Sequence, residues 1–409
     1  MRKWRGIAAA VLLVACGSSE RSHAERGDST RTPAAAPAPT RIDTLRDDQG
    51  EYFSPSWTSF VLTRAGRVVA LDQDDQRIVM FDSSGRQRHS VGRNGAGPGE
   101  FRFPRRIFSL PGDSIAVWDI GLRRLSLFDS ALKFDRTEQF PRWDFAGDES
   151  ELVGRLADGR WVARLVAHGS FDHFRVGARL AIDTARLMVG HSSASPVEFH
   201  PLPLRTGVDV VMKMGSNNYN IFKLRLSELN VGVGVVCDSG AMLLDAQGVR
   251  VLDMNGRVVR ASPLPRSGDS IRTAAERKNI VKFQMSDAVD SSSSAGATRA
   301  LLEPLVAAHS TRMLRPTIDV NGGLWYDRNS TLHHDPPTVI ERVDGAGRTD
   351  AALTFAQFGG GAQIGTNSVA MMQYGSDTTG LTLTLSQLPS GVNTSAERPI
   401  GRCFASFRY

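Results

Sequence analysis

The sequence predicts an all-β protein, a six-bladed β-propeller, and three observations predict it. The 409 residues include 39 Gly and 19 Pro, and short apolar runs alternate with clusters of Gly, Asp and Ser where long helical periodicity is scarce. Two strand-like segments recur at one shared spacing. A two-part unit built on those segments can be followed six times along the chain.

The spacing is specific. Arg67-Val68-Val69-Ala70-Leu71-Asp72 corresponds to Ser114-Ile115-Ala116-Val117-Trp118-Asp119. Arg77-Ile78-Val79-Met80-Phe81-Asp82 corresponds to Arg124-Leu125-Ser126-Leu127-Phe128-Asp129. Asp72 to Asp119 and Asp82 to Asp129 are each 47 positions (119 − 72 and 129 − 82). The first part of the unit is a Gly turn leading into an apolar strand, with copies at Gly66, Gly112, Gly159, Gly240, Gly322 and Gly365. The second part is an apolar residue, then Asp and a short turn that often ends in Gly-Arg. It stands at Phe81-Asp82, Phe128-Asp129, Leu252-Asp253 and Val343-Asp344, with Ile182-Asp183 as a degraded copy. In the last unit the alternating strand Leu381-Thr382-Leu383-Thr384-Leu385 takes its place.

Each unit reads as an antiparallel meander whose hairpin turns use Gly, Asn and Asp. Such a sheet has two apolar faces and cannot stand alone, whereas radial packing buries both and leaves only short edges. Residues 40–409 give about 60 residues per unit, above the roughly 40–50 usual for a blade. The excess is assigned to one insertion, 266–312, and to long loops. Asp269-Ser270 can cap a helix through Ile271, Ala274, Ala275, Lys278 and Ile280, and residues 298–308 read as a second helix. The insertion's apolar positions, Ile271, Ile280, Val281, Leu301, Leu305 and Val306, have no counterpart in the repeat. A helical cap beside the axial opening is expected. The alternating segment Thr40-Arg41-Ile42-Asp43-Thr44-Leu45 is expected to close the ring in the blade that holds Phe404 and Phe407.

Ahead of the repeats, Met1-Arg2-Lys3-Trp4-Arg5 is basic and residues 6–15 are apolar, too short a stretch to span a bilayer. The stretch ends in Leu13-Val14-Ala15-Cys16, which resembles a bacterial lipobox. That resemblance implies a signal peptide over 1–15 and lipid attachment at Cys16. Several acyl chains on one residue anchor stably where a single chain does not. Residues 16–39 turn from polar to Ala- and Pro-rich and read as a disordered tether with a reach of roughly 25–30 Å. The expected place is the cell envelope, lipid-anchored. The residue after the cysteine is Gly17, not the Asp that would favour inner-membrane retention in proteobacteria, so the outer membrane is the default expectation, with the propeller facing periplasm or surface.

The stretch Gly95-Ala96-Gly97-Pro98-Gly99-Glu100-Phe101-Arg102-Phe103-Pro104, followed by Ile107, Asp113–Asp119 and Arg124–Asp129, resembles an NHL-type repeat. The resemblance is strongest over 60–130, weaker over 235–348, and faint over 140–230 and 350–409. The layout as a whole is similar to exported six-bladed propeller lipoproteins of bacteria. NHL-like propellers include ligand and protein binders, lyases and lactone hydrolases, so the resemblance implies a fold and leaves the activity open.

Charge and motifs narrow the function. The net charge is +6, yet the basic residues are scattered and no basic stretch interleaves with aromatics, so no nucleic-acid partner is expected. Gly95-x-Gly97-x-Gly99 has neither GxGxxG nor Walker spacing and reads as an interblade loop that needs positive φ and close packing. His333-His334-Asp335, and His168 with Asp172 and His173, read as polar loop residues, because adjacent His on a strand point to opposite faces. Cys237 and Cys403 form no CxxC pair, and the repeat sets them far apart; export permits a disulfide, and their pairing stays open. Trp118, Trp161 and Trp325 share a strand position and read as blade packing. Arg77 and Arg124 occupy equivalent positions and read as structural. No GxSxG, SxxK or Cys/His nucleophile arrangement occurs in the sequence. No catalytic residue, metal site or cofactor is assigned, and no ligand-binding residue. The expected function is a non-enzymatic binding or scaffold module for a protein, peptide or glycan, touching the membrane through its lipid. The alternative is a metal-dependent propeller hydrolase or lyase.

Replacing Cys16 by Ala should abolish labelling of the protein by a fatty-acid probe in cells and release it from the membrane pellet. A labelled, sedimenting Cys16→Ala protein would contradict the lipobox reading.

Overall fold

The computed structural model describes residues 38–46, 59–145, 150–167, 177–201, 205–214, 218–225, 232–236, 240–245, 248–262, 315–319, 323–327, 338–343, 349–355, 359–374 and 381–392, with nine single or paired positions between 274 and 307. The chain divides into Met1–Ala35 and Ala36–Tyr409, and every described residue belongs to the second unit.

Strand β1 (Thr40–Thr44) comes first and is used last. Blade I then comprises β2 (Phe60–Leu62), β3 (Val68–Asp72), β4 (Arg77–Phe81) and β5 (Gln87–Val91). Blade II comprises β6 (Pro104–Ser109), β7 (Ile115–Asp119), β8 (Arg124–Phe128) and β9 (Phe134–Gln139). Blade III holds β10 (Glu151–Arg155), β11 (Trp161–Ala167), β12 (Gly177–Gly190), β13 (Val197–Pro201), β14 (Arg205–Met214) and β15 (Asn218–Arg225). Blade IV is β16 (Gly232–Val236), β17 (Gly240–Asp245), β18 (Gly248–Leu252) and β19 (Val258–Ser262). Blade V is β20 (Arg315–Ile318), β21 (Leu324–Asp327), β22 (Thr338–Val343) and β23 (Thr349–Phe355). Blade VI has β24 (Gly359–Ile364), β25 (Ser368–Tyr374) and β26 (Leu381–Gln387), and its fourth strand is β1.

The six sheets are the six blades of a propeller; blades I, II, IV and V are antiparallel meanders in chain order, blade VI takes β1 beside β26, and in blade III β12 pairs with both β13 and β14. The repeat in the sequence marks two fixed places in the meander. Among the described residues, Gly66, Gly112, Gly159, Gly240 and Gly365 stand at the entry to second strands, and the apolar-Asp turns at Asp82, Asp129 and Asp253 join third strands to fourth. Chemistry explains the second mark. One carboxylate oxygen of Asp82 accepts the amides of Ser84 (2.8 Å) and Arg86 (3.1 Å). Asp129 does the same for Ala131 and Lys133, and Asp253 for Asn255 and Arg257. The Asp side chain stands in for a missing strand partner across the turn. Desolvation raises the Asp82 carboxyl, but the Ser84 hydroxyl, the Arg86 amide, Arg88 and the Ser84 amide together hold it below the ordinary range; for Asp253 the Arg257 amide leads in lowering it, against desolvation.

The second strands show why blades need neighbours. Val69 and Leu71 of β3 pack with Ile115 and Val117 of β7, while Val68 and Ala70 pack with Ala370 of β25 and with Leu383 and Leu385 of β26. In β7 the other face, Ala116 and Trp118, meets Trp161 and Ala163 of blade III. A strand whose successive residues serve two different seams is apolar at every position, and this is the run seen in the sequence. Trp118, Trp161 and Trp325 are all fully buried in such seams, as blade packing requires.

Ring closure uses the strand expected for it, Thr40–Thr44, with the last described strand as its partner. β1 pairs antiparallel with β26, Thr40 opposite Gln387 and Thr44 opposite Thr384, and the Leu45 amide continues the ladder to the Leu383 carbonyl at 2.8 Å. Phe404 and Phe407 lie outside the described residues, as do Cys16, Cys237 and Cys403.

Two expectations need correction. Ile182-Asp183 is no turn: both residues lie inside β12, and the turn between third and fourth strands of blade III falls at 191–196. The excess length also has a second source. β12 has 14 residues, and only its second half, Thr184–Gly190, pairs with β11. Its first half pairs with β14, which pairs with β15, so blade III carries a three-stranded arm. Seven β12 residues, 177–183, run past the end of β11, about 23 Å of extended chain. In 266–312 the described residues Ala274, Arg277, Lys278, Val281, Arg299, Ala300, Glu303, Pro304 and Ala307 are helical, and Val281 is buried.

Candidate functional site

The meander gives the ring two unlike ends. Turns from first to second strand and from third to fourth lie at one, the turn end. Turns from second to third strand and the links between blades lie at the other, the linker end. The arm leaves past the end of β11 and so projects at the linker end. The chain between β19 and β20, which contains 266–312, is a blade link and starts and finishes at the same end. Both large additions to the repeat therefore emerge on one side of the ring.

The linker end is best described at blades I to III. The link from β5 to β6 holds the Gly-rich loop, and its groups are turned inward on one another. The Glu100 carboxylate accepts the Gly97 amide at 2.8 Å and the Arg93 guanidinium at 2.7 Å. Arg124 donates to the carbonyls of Ala96 (2.8 Å), Gly97 (2.6 Å) and Glu100 (3.0 Å). A phosphate loop needs amides aimed at an empty space. Here the Gly97 amide is taken by Glu100, and a Cβ added at Gly95 would sit 2.1 Å from that carboxylate. Gly99 has φ +71°. The loop is structural, as its spacing implied, and so is Arg124. Its counterpart Arg77 donates to Asp72 at 3.2 Å and pairs with Asp75 at 3.0 Å. Burial pushes the Asp72 carboxyl above its ordinary value, against the pull of the Asp75 amide and Arg77.

Asp119 ties this loop to the next turn. Fully buried, it accepts the amides of Arg102 (2.6 Å), Phe103 (3.1 Å) and Leu122 (3.0 Å). The Phe103 carbonyl accepts the Ile120 amide at 3.1 Å. Asp72, 47 residues earlier, spends its carboxylate within its own turn. The result at blade II is an outward-facing platform. Phe101 is buried in the seam, while Phe103, two residues on, is 72% exposed. Around it stand the exposed Arg102, Arg105 and Arg123. Arg123 takes the left-handed conformation, φ +49°, as does its repeat counterpart Gln76. The alternation of Phe101 and Phe103 was visible in the sequence. Which of the two faced solvent depended on Asp119 gripping the backbone, and nothing in the sequence spacing carried that.

Among the described residues no group of three or more His, Cys, Asp or Glu is placed to hold a metal ion. His333, His334, Asp335, His168, Asp172 and His173 lie outside them, so the structure neither gathers nor separates these two sets. At the centre of the ring the first strands of neighbouring blades approach one another, and side chains bridge them. Arg106 of β6 donates to the Leu152 carbonyl at 2.7 Å and lies 3.5 Å from Glu151, both in β10. Gln363 of β24 donates to the Phe60 carbonyl (2.6 Å) and accepts the Leu62 amide (2.7 Å), like an extra peptide group.

The fold and this end define a six-bladed propeller with elaborated blade links. No protein-family model and no curated protein sequence matches the chain. Solved structures similar to it include a protein of Bacteroides fragilis described as exported, at 12% identity and TM-score 0.41, covering 85% of this chain and 94% of that one. Virginiamycin B lyase from Staphylococcus aureus is similar at 10% identity and TM-score 0.39, covering 85% and 98%. The calcium-binding protein regucalcin of Agrobacterium tumefaciens is similar at 11% identity and TM-score 0.38, covering 91% and 98%.

Glu100 offers a local test of the Gly-rich loop. The Gly97 amide and Arg93 hold its carboxyl below the ordinary range, so its contribution is present at neutral pH and is lost as pH falls through that lowered value. The Gly97 amide-proton shift should titrate with a midpoint below that of a free Glu, and Glu100→Gln should remove the titration. A midpoint at or above the ordinary Glu value would contradict the bond.

Proposed function

We propose that this protein is an envelope-anchored, non-enzymatic binding module. Cys16 carries the lipid and residues 16–39 are the tether. The linker end of the propeller holds the ligand, a protein, peptide or glycan. One observation carries the reading: both additions to the repeat, the arm of blade III and the segment within 263–314, emerge at that end. At the turn end of blades I and II the connections are tight hairpins closed by Thr63, Asp82 and Asp129. Loops on a rigid scaffold are where binding surfaces form, and length added at one end of a ring enlarges that end alone. Outer-membrane residence is the default for a lipid-bearing cysteine followed by Gly17 and not by an inner-membrane retention Asp.

A photo-crosslinking residue placed at Phe103 reports on the linker end, and one at Ser83, exposed in a third-to-fourth turn, reports on the turn end. In cells, Phe103 should yield discrete crosslinked adducts and Ser83 none. Adducts from Ser83 alone, or equal adducts from both, would contradict the assignment.

A further inference from the structure

We infer that the linker-end platform at blade II binds an acidic polysaccharide, one whose sugar rings carry carboxylates. The inference rests on the binding-module reading and names its ligand class. Arg102, Arg105, Arg123 and Arg142 are exposed around Phe103. Backbone contacts make these residues one surface. Asp119 joins Arg102 and Phe103 to Leu122, the residue before Arg123. Gly121 lies so close that a Cβ there would sit 3.1 Å from Phe103 Cβ and 3.4 Å from Arg102 Cβ. The Arg123 carbonyl accepts the Phe140 amide at 3.3 Å, and the turn from Phe140 to Trp143 presents Arg142. Gln73 donates to the Arg105 carbonyl at 3.3 Å.

None of the four arginines makes an ion pair among the described residues. The neighbouring carboxylates are engaged elsewhere: Glu100 with Arg93, and Asp119 with three backbone amides. Asp144, exposed beside Trp143, has a contact of its own. Guanidinium groups left without a carboxylate are matched by planar anions that accept two hydrogen bonds at once. A flat ring exposed among them adds an apolar face. A pyranose offers C–H groups to such a face, which carries the negative lobe of the ring quadrupole. Carboxylates at its rim would reach the arginines. A peptide bound by strand addition would want a free strand edge, and here only turns and strand ends are presented; an acidic peptide read by the arginines alone would make no use of the exposed Phe103 ring. A single-stranded nucleic acid would want several stacking rings in succession, and the platform exposes one.

The test uses the full chain in detergent micelles and isothermal titration with polygalacturonate, its methyl-esterified form and poly-glutamate. Polygalacturonate should bind, with affinity falling as salt rises, and the esterified form should bind at least about tenfold more weakly. Arg102→Gln and Arg123→Gln should each weaken binding by about tenfold, the scale of a charge-assisted hydrogen bond. Phe103→Ala should weaken it comparably. All three side chains are exposed, and an unchanged circular dichroism spectrum confirms the fold. No binding of polygalacturonate, equal affinity for the esterified form, or unchanged binding by the variants overturns the inference. Poly-glutamate binding that depends on the arginines and not on Phe103 replaces the polysaccharide with an acidic peptide. If titration fails while crosslinks at Phe103 still form, the ligand class is wrong and the binding end stands; loss of both removes both.

Discussion

Every blade has two apolar faces, and that constraint organises the molecule. A row of such blades would leave an uncovered face at each end of the row, so the only arrangement without one is a closed ring. Closure is made at blade VI, where the earliest described strand joins the last. Leu45, Phe60, Val68, Leu383 and Leu385 share one buried cluster there, so residues more than 300 positions apart form a single seam. Gln363 tightens the same seam at the axis. Its amide satisfies the Phe60 carbonyl and the Leu62 amide, groups that would each cost about 1–3 kcal/mol if buried unpaired.

A closed ring of meanders also fixes what each end can be used for. Four strands per blade return every blade link to the same end, so an addition in any link, or in any second-to-third turn, enlarges that end. The arm and the segment between β19 and β20 are two independent cases. The repeat's own polar residues divide in the same way. At the turn end, Asp82, Asp129 and Asp253 close hairpins. At the linker end, Asp119 spans two chain segments and sets the outward aim of Phe103.

The ring was legible in the sequence because the features that build it repeat. Gly turns ahead of second strands, and Asp in the turns after the third strands of blades I, II and IV, recur since those turns need the same geometry. The arm was not legible. Ile182-Asp183 imitates the repeat's apolar-Asp pair in the middle of a long strand. The platform was hidden for a related reason. Arg102, Phe103 and Arg123 come from different connections, and only the hydrogen bonds of a buried Asp119 bring them together. The two His/Asp groups fall outside the described residues, so their sequence reading as loop residues stands as an expectation.

Closure by β1 is the claim on which the rest stands, and native-state hydrogen exchange at Leu45 tests it most directly. The Leu45 amide is bonded to Leu383 and its side chain is 1% exposed. If β1 closes the ring, this amide opens only when the whole propeller unfolds. Its exchange free energy should then equal that of the Val69 amide in β3 and fall with denaturant at the same slope. A Leu45 amide that exchanges at lower free energy, with little dependence on denaturant, would show that β1 frays from a ring that holds without it.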